Sequence, residues 1–381
     1  MDLLFGIIVG LVILVFLVVV HELGHAIVAR RNGVVVEEFG IGFPPRAWSK
    51  KLKNGVLFTL NWLPLGGFVR MQGEHDEASK PGDYGAATFW QKTRILLAGV
   101  AVNWVVAALL LTVLAITGLP KILPNQFTIA SDTSIVQKPV ELTLVVDESP
   151  AAKAGLQTGD QIIRVNGLAI ESSAALSDLT EREKGTNINV EYVRGGDART
   201  AAVTLNADNV DNQGYLGVAL GQRELIKATW SAPIVGVATT GQFTWATLQG
   251  IGGLLADLVK GLALQLSPNS DTRQVARDSL DRAGKSVAGP VGILGTIFPA
   301  AEKAGLTQLV LLSAVISLSL AVMNILPIPA LDGGRWYTMV LFKLFRKPLT
   351  KSREEAIQTV GFLTLMALVV VITIADVNKL F

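Results

Sequence analysis

Four long apolar runs constrain what this chain can fold into more than any other feature. They lie near residues 3–29, 95–118, 306–328 and 356–375. A hydrocarbon core about 30 Å thick is crossed by roughly 20 helical residues, and each run is long enough. Since backbone polar groups in lipid must bond within their own segment, we expect each run to be a transmembrane helix. The sequence therefore predicts a polytopic α-helical membrane protein with about four transmembrane helices.

The remaining composition narrows the class of protein. Half of the residues are hydrophobic, the net charge is +2, and there is no cysteine. Without cysteine there is neither a disulfide framework nor a thiolate metal site. Basic residues do not form a stripe with interleaved aromatics, so nucleic acid is not an expected partner. The first run lacks a basic n-region and a small-residue cleavage site, which favours a retained helix over a signal peptide.

The short connections predict the orientation. Lysine and arginine are frequent between the first two helices and between the last two, and such loops face the cytoplasm. Both termini, and the region from about 120 to 305, should then be extracytoplasmic. The predicted segments are a first helix (1–31), a cytoplasmic-side segment (32–94), a second helix (95–119), a third helix (306–334), a cytoplasmic loop (335–355) and a fourth helix (356–376).

Residues 55–71, GVLFTLNWLPLGGFVRM, have the alternation of a β-hairpin. Pro64 and the pair Gly66–Gly67 predict its turn. A hairpin that is apolar on both faces beside a transmembrane helix is expected to re-enter the membrane, packed against protein. A small cytoplasmic sheet is the alternative.

Residues 129–223 have short β-rich runs separated by turns and charges, which predict an inserted α+β domain. Within it, ESPAAKAGLQTGDQIIRVNGLAI (148–170) resembles the PDZ pattern. Such domains bind peptide C-termini on backbone N–H groups. The expected carboxylate loop is Gly214, Tyr215, Leu216, Gly217 and Val218, whose late position suggests a circular permutation. A steric plug that binds no peptide is the alternative. Residues 224–305 are expected to be an amphipathic, interfacial linker rather than a fifth span.

The first helix ends in the motif His21-Glu22-Leu23-Gly24-His25. Positions four apart share one helix face, so the two imidazoles can bind one metal ion. HExxH is the zinc metalloprotease signature, with the glutamate as general base. The chain has three histidines in all, and two of them fall in this apolar segment. The third, His75, lies in a charged loop and is expected to be solvated.

A hydrolytic zinc site usually has three protein ligands, so one more is needed. Asp332 follows the third apolar run in MNILPIPALDGGR. Pro327 and Pro329 should break that helix and let Asp332 turn inward. Helix N-capping is the alternative role for Asp332. By the predicted topology, Asp332 and the histidines lie at the same, cytoplasmic depth.

These motifs together resemble the site-2 protease family, in particular bacterial RseP-type members with a single PDZ domain. The resemblance rests on HELGH, on Gly99-x-x-x-Asn103 in the second helix, on the PDZ-like segment and on NxxPxPxLDGG in the third helix. It implies intramembrane proteolysis in a bacterial-type inner membrane, with one Zn²⁺ per chain. Its metal ligands would be His21, His25 and Asp332, and Glu22 would be the catalytic acid/base. The implied substrates are single-span membrane proteins, such as trimmed anti-sigma factors, and remnant signal peptides.

The other candidate residues are expected to hold substrate. Asn324 could bond an unwound substrate or the oxyanion, and Pro327, Pro329, Gly66 and Gly67 would shape the path of the substrate. Asn103 could have the same role, or it could pack closely with Gly99 against a neighbouring helix. Two rival functions are a receptor with a vestigial motif and a transporter with an intramembrane proton relay.

Overall fold

The computed structural model describes residues 2–209, 213–265, 269–285 and 287–380. They form two compact units, Met1–Leu114 with Pro233–Phe381, and Ala115–Ala232. The helices are α1 (Asp2–Arg31), α2 (Phe89–Thr117), α3 (Pro150–Lys153), α4 (Ser173–Arg182), α5 (Ala232–Gln265), α6 (Ser270–Lys285), α7 (Pro290–Gly292), α8 (Phe298–Lys303), α9 (Leu306–Ile325), α10 (Asp332–Leu344) and α11 (Lys351–Leu380). The strands are β1 (Val36–Lys51), β2 (Leu57–Met71), β3 (Leu119–Pro120), β4 (Ser134–Gln137), β5 (Val140–Val145), β6 (Gln161–Val165), β7 (Leu168–Ala169), β8 (Asn187–Arg194), β9 (Asp197–Thr204), β10 (Val218–Gly221) and β11 (Glu224–Lys227).

Five helices of the described residues are long and apolar enough to cross a membrane, namely α1, α2, α5, α9 and α11. In α1 and α9 the apolar residues are not confined to one face, although each helix also carries a few polar residues, such as His21, His25 and Asn324. Four of the five coincide with the predicted runs, and α5 is one more than expected. The region 224–305 thus contains a helix of 34 residues, followed by the shorter and more charged α6.

The directions of the apolar helices follow from their contacts. Helices α1 and α2 are antiparallel, because His25 near the end of α1 contacts Ile95 near the start of α2, whereas His21, one turn earlier on α1, contacts Asn103, two turns later on α2. Helix α9 runs parallel to α1. Phe298, shortly before α9, packs on Gly10 near the start of α1, and Asp332, shortly after α9, contacts α1 at His25.

Helix α11 runs antiparallel to α9. Near its start, Gly361 packs against Pro329, which follows α9. Near its end, the carboxylate of Asp376 accepts a hydrogen bond from the backbone N–H of Gly292, which precedes α9. The unit therefore has a metal-side end, where α1 and α9 finish, and an opposite end, which we call the distal end.

Strands β1 and β2 form an antiparallel ribbon. Residues 38–41 pair with two stretches of β2, 57–60 and 67–70, because both strands bend. The predicted hairpin 55–71 is β structure, and the chain reverses direction at the predicted turn. Its two halves do not pair with each other, however, because 57–60 and 67–70 lie on opposite sides of 38–41. Its residues 57–71 are one bent strand, and the turn that joins β1 to β2 is at 52–56, where Gly55 has a φ of +87°. The sequence analysis missed the partner strand β1.

The connection from α9 to α10, residues 326–331, carries Asp332 at its end. Helix α9 ends at Ile325, just before the two prolines that cannot continue it. Ala330 has a φ of +75°, and its backbone N–H donates to Oε1 of Gln358 on α11 at 2.7 Å. Since positive φ is uncommon for alanine, this hydrogen bond helps to hold the loop in place.

The second unit contains the predicted α+β segment. One sheet has the order β10-β5-β6-β8-β9, with β7 paired to β6, and a smaller sheet has the order β3-β11-β4. Buried aliphatic side chains such as Val140, Leu142 and Ile162 form its core. Asp160, fully buried, accepts two hydrogen bonds of 2.7 Å from Arg194. The strand β10, after the predicted carboxylate loop, pairs with β5 near the start of the unit.

Candidate active site

Helix α1 places both histidines of the HExxH motif on one buried face. His21 is 7% exposed and His25 is 5% exposed. Their Nε2 atoms lie 3.2 Å apart. This proximity follows from the four-residue spacing on a helix.

Asp332, the first residue of α10, meets the two imidazoles. Its Oδ2 lies 3.0 Å from Nε2 of His21 and 3.1 Å from Nε2 of His25. One ligand-type atom from each of the three residues lies within 4.8 Å of the other two. Residues more than 300 positions apart in the chain thus form one cluster that could hold a metal ion.

The hydrogen bond behind His25 fits metal binding. Its Nδ1 lies 2.8 Å from the backbone oxygen of Ile95. A carbonyl oxygen only accepts, so Nδ1 carries a hydrogen, and in the neutral imidazole Nε2 then keeps a free lone pair. Zinc-binding histidines generally show this second hydrogen bond. Two imidazoles and a carboxylate are also a donor set that zinc prefers.

Helix α2 comes close enough to the imidazoles to need a glycine. A Cβ on Gly99 would lie 2.5 Å from Nε2 of His25 and 2.6 Å from Nε2 of His21. On the same side, a Cβ on Gly24 would lie 3.0 Å from the backbone oxygen of Ala98. The two glycines therefore let α1 and α2 approach, and Gly99 in particular leaves space around the Nε2 atoms of both histidines.

Glu22 lies beside the cluster and faces β2. A cavity of about 200 Å³ is lined by Glu22 together with His21 and Asp332. The Glu22 carboxylate also interacts with the backbone of Val69 on β2. The predicted acid/base, the candidate ligands and one ribbon strand thus share one space.

Of the remaining predicted site residues, some line the cavity beside Glu22 and others lie elsewhere. Asn324 and Asn103 line the same cavity as Glu22. Gly67 packs close to Glu22, whereas Gly66 packs against Phe43 within the ribbon. Pro327 and Pro329 lie in the loop before Asp332 and do not line that cavity. The segment Gly214, Tyr215, Leu216, Gly217 and Val218 lines a separate cavity in the second unit.

Arg335 joins the loop at Glu74 to α11 next to Asp332. It pairs with Glu354 of α11 at 3.0 Å and with Glu74 at 3.4 Å. Its guanidinium also lies over the ring of Tyr84, 4.6 Å from the ring centroid. Burial raises the pKa of Glu74 above its ordinary value, although the adjacent Arg335 acts in the opposite direction. His75, expected to be solvated, is half-buried, 3.8 Å from Glu355.

Sequence reasoning missed three contributors to this site. The carbonyl of Ile95 has no side-chain signature, and the bond between Gln358 and Ala330 joins residues on separate elements. Arg335 follows the Asp332 motif directly, and its position in LDGGR was the available signal.

The model of peptidase family M50 matches residues 9–368 of this chain. The chain belongs to peptidase family M50. This is the site-2 protease family, and the protein is accordingly a zinc metalloprotease.

Relatives of this M50 peptidase match over almost its full length. A protein of Clostridium perfringens assigned as a zinc metalloprotease is 32% identical over 361 residues, 95% of each chain. The regulator of sigma-W protease RasP of Bacillus subtilis is 26% identical, over 96% of each chain. The PDZ domain of an SdrC-like protein of Listeria monocytogenes is 30% identical, with a TM-score of 0.20, over 22% of this chain and 86% of that one.

Proposed function

We propose that this M50 peptidase hydrolyses a peptide bond within the transmembrane segment of single-span membrane proteins. The observation that carries the proposal is the convergence of His21, His25 and Asp332 at the ends of apolar helices. Polar groups at that depth are expensive unless they serve a function. A protease site located there would act on a peptide that is itself in the membrane.

The residues divide into ligands and an acid/base. His21, His25 and Asp332 would hold one zinc ion, and the hydrogen bond from His25 to Ile95 supports this assignment. Zinc, when bound, supplies a Lewis acid that polarises the scissile carbonyl and acidifies water. Glu22, free of the ligand cluster, takes the proton of the attacking water and delivers it to the leaving amine.

The ribbon gives an unwound substrate a place to bond. A helical substrate has its backbone carbonyls engaged, so it must unwind before hydrolysis, and each unbonded group in lipid then costs several kcal/mol. Strand addition at the ribbon edge satisfies those groups. The contact of Val69 with Glu22 supports this use of β2, and the exposure of Trp62 (70%) and Phe43 (43%) supports insertion of the ribbon into the membrane.

Asn324 is the best-supported further substrate contact. Its Nδ2 donates to the backbone oxygen of Leu320 at 3.0 Å. Its Oδ1 is then free to accept an N–H of the unwound substrate beside Glu22. Gly66, Gly67, Pro327 and Pro329 would shape the path without bonding.

The helix directions support four complete crossings. Helix α2 ends at the distal end, and α9 begins there. The chain between them, residues 118–305, therefore starts and finishes on the same side of the membrane. If α5 crossed completely, a second crossing would have to bring the chain back. Helix α6 is too charged for that, and α8 packs on α1 at Gly6 and Gly10, at the distal end. We therefore assign α5 as entering from the distal side without crossing.

The basic connections support an orientation in a bacterial-type inner membrane. They lie at the metal-side end, which then faces the cytoplasm. Both termini and the second unit are extracytoplasmic in this assignment. The family membership shown above also supports it.

The second unit is proposed to bind peptide C-termini as a circularly permuted PDZ-like domain. The loop from Gly214 to Val218 lines a cavity of about 210 Å³ together with α4. Gly214 and Gly217 both have a φ of +72°, a left-handed conformation that glycine adopts readily and that bends the loop around this cavity. A free carboxylate can bond there.

The substrates are proposed to be single-span proteins such as trimmed anti-sigma factors, and remnant signal peptides. The name of the Bacillus subtilis relative, a regulator of sigma-W protease, supports this class. A cleavage assay in detergent against a panel of single-span peptides, with and without a zinc chelator, tests the proposal. Cleavage inside the apolar segment that the chelator abolishes is expected. Cleavage only of soluble peptides would contradict it.

A further inference from the structure

Asn103 on α2 is completely buried beside the candidate ligands. Its Nδ2 lies 3.3 Å from Nδ1 of His21. Its Oδ1 is buried and has no hydrogen-bond partner among the residues that the structure describes. A buried polar atom without a partner costs about 1–3 kcal/mol, so this amide oxygen calls for a physical reason.

Metal binding by His21 determines which amide atom of Asn103 must face the His21 imidazole. A neutral imidazole that offers Nε2 to a metal carries its hydrogen on Nδ1, and that hydrogen needs an acceptor. Of the two amide atoms of Asn103, only Oδ1 accepts. A half-turn of the amide about its Cβ–Cγ bond exchanges Oδ1 and Nδ2 and leaves the backbone in place.

We propose that Asn103 is a positioning residue of the metal site, which accepts the Nδ1–H of His21 at its Oδ1 and so directs Nε2 of His21 towards the zinc. The proposal rests on the assignment of His21 as a ligand under the proposed function. It gives Asn103 a role that is neither helix packing nor substrate binding.

The arrangement on α2 supports the proposal independently of His21. The backbone oxygen of Ile95, two turns earlier on α2, accepts from Nδ1 of His25. Gly99 lies between Ile95 and Asn103 and leaves room for both imidazoles. One face of α2 thus contacts both histidines. The backbone oxygen of Ile95 orients His25, Gly99 leaves space for both rings, and the side chain of Asn103 orients His21.

The position of Asn103 is held by a second contact. The hydroxyl of Ser317 on α9 donates to the backbone oxygen of Asn103 at 2.8 Å. This bond joins α2 to α9 without using the Asn103 amide. Ser317→Ala is therefore a matched control, because it alters the same helix contact and leaves the proposed acceptor intact.

The test compares zinc affinity in two variants of the full chain in detergent, by competition with a chromogenic chelator. Asn103→Leu removes the acceptor at similar size, and we expect its zinc Kd to rise about 10- to 100-fold. Asn103→Asp keeps an acceptor, and its Kd should stay close to the wild-type value, as should that of Ser317→Ala. A packing role predicts the reverse order, because leucine packs well and a buried carboxylate is costly.

Each outcome decides the proposal. A wild-type Kd in Asn103→Leu, or a greater loss in Asn103→Asp than in Asn103→Leu, overturns it. If Asn103→Leu does not accumulate, Asn103→Ala lacks the acceptor and takes its place. Asp332→Asn in the same assay distinguishes failure of the proposed ligand set from failure of the proposed role of Asn103. If it binds zinc like the wild type, the proposed ligand set fails, whereas loss of zinc in Asp332→Asn with normal binding in Asn103→Leu rejects only the role of Asn103.

Discussion

At the scale of single residues, Glu22 is set apart from the ligands although it lies between them in the chain. His21 and His25 converge on Asp332, while Glu22 faces the cavity and the backbone of Val69. We expect Glu22→Gln to keep its zinc and to lose cleavage by about 10²- to 10⁴-fold, because an amide cannot take up the proton. Parallel zinc determination and peptide cleavage measure this. Activity close to wild type would remove Glu22 from the mechanism.

Gly99 gives a second prediction at this scale. In Gly99→Ala the new Cβ would overlap the ligand nitrogens of both histidines, so we expect zinc content to fall well below that of the wild type. Gly241→Ala on α5 is the matched control, since a Cβ there meets no atom within 4 Å. In a helix that change is neutral or stabilising, by up to about 1 kcal/mol. Full zinc content in Gly99→Ala would show that the imidazoles lie elsewhere.

The sequence predicted the side chains of the site better than their supports. The spacing of His21 and His25, and the place of Asp332 after an apolar run broken by prolines, were enough to propose one cluster. The carbonyl of Ile95 could not be predicted, because every residue has one and only the packing of α2 on α1 selects it. For Gly99 the motif was visible, but a contact with imidazole nitrogens needs the distance between two helices.

At the scale of elements, the ribbon of β1 and β2 could be predicted only in part from the pattern of apolar residues. The second strand was predicted from its alternating apolar residues, with a hairpin turn at Pro64 and Gly66–Gly67. The chain reverses there within one strand, whose two halves pair with β1 and not with each other. Its partner β1 was missed, since Gly40, Gly42 and two prolines interrupt the alternation that predicts a strand.

The loop before Asp332 yields a prediction for α11. Gln358→Leu removes the acceptor of the Ala330 N–H, a loss of about 0.5–1.5 kcal/mol, and loosens a backbone with positive φ. We expect weaker zinc binding, measured by chelator competition, because Asp332 follows this loop directly. Thr364→Ala, which removes an exposed hydroxyl on the same helix, should have no effect on zinc. Equal affinity in both variants would mean that the loop is held by other contacts.

The buried pair of the second unit gives a pH-dependent prediction. Burial opposes ionisation of Asp160, but hydrogen bonds and the charge of Arg194 outweigh it and lower the pKa of Asp160. Because the folded pKa is depressed, this stabilisation is present above the unfolded value of about 4 and is lost as pH falls further. Arg194→Met should lower the Tm at neutral pH, since it leaves the Asp160 carboxylate without its charged partner.

Thermal unfolding between pH 7 and pH 3 measures this effect. The difference in Tm between wild type and Arg194→Met should shrink at acid pH, where Asp160 is neutralised. Arg164→Met is the control, because Arg164 and its partner Glu191 are both more than one-third exposed and such pairs contribute little. A difference in Tm that does not depend on pH would show that packing, and not charge, accounts for the loss.

At the scale of the whole molecule, the two units predict separable roles. All three candidate ligands and Glu22 lie in the first unit. Replacement of 129–223 by a short linker should therefore leave zinc bound and a single-span peptide cleaved, and untrimmed substrates should be accepted as well. Cleavage of trimmed and untrimmed substrates in detergent measures this. Loss of all cleavage with zinc retained would contradict a gatekeeping role for the second unit.

The large-scale architecture was predictable because apolar length is a strong signal. Four spans and an inserted strand-rich segment were expected, and the corresponding elements are present. Helix α5 satisfies the same length and hydropathy requirement, so composition alone could not distinguish it from a span. Its assignment as a helix that does not cross required the directions of α1, α9 and α11.

The central claim is that α1 and Asp332, the first residue of α10, jointly hold one zinc ion at the end of the apolar helices where α1 and α9 finish. Elemental analysis of purified wild type, Asp332→Asn and His25→Ala tests it most directly. We expect one zinc per chain in the wild type and almost none in either variant. A full complement of zinc in Asp332→Asn would contradict the claim, because the ion would then be bound without the carboxylate that the claim makes its third protein ligand.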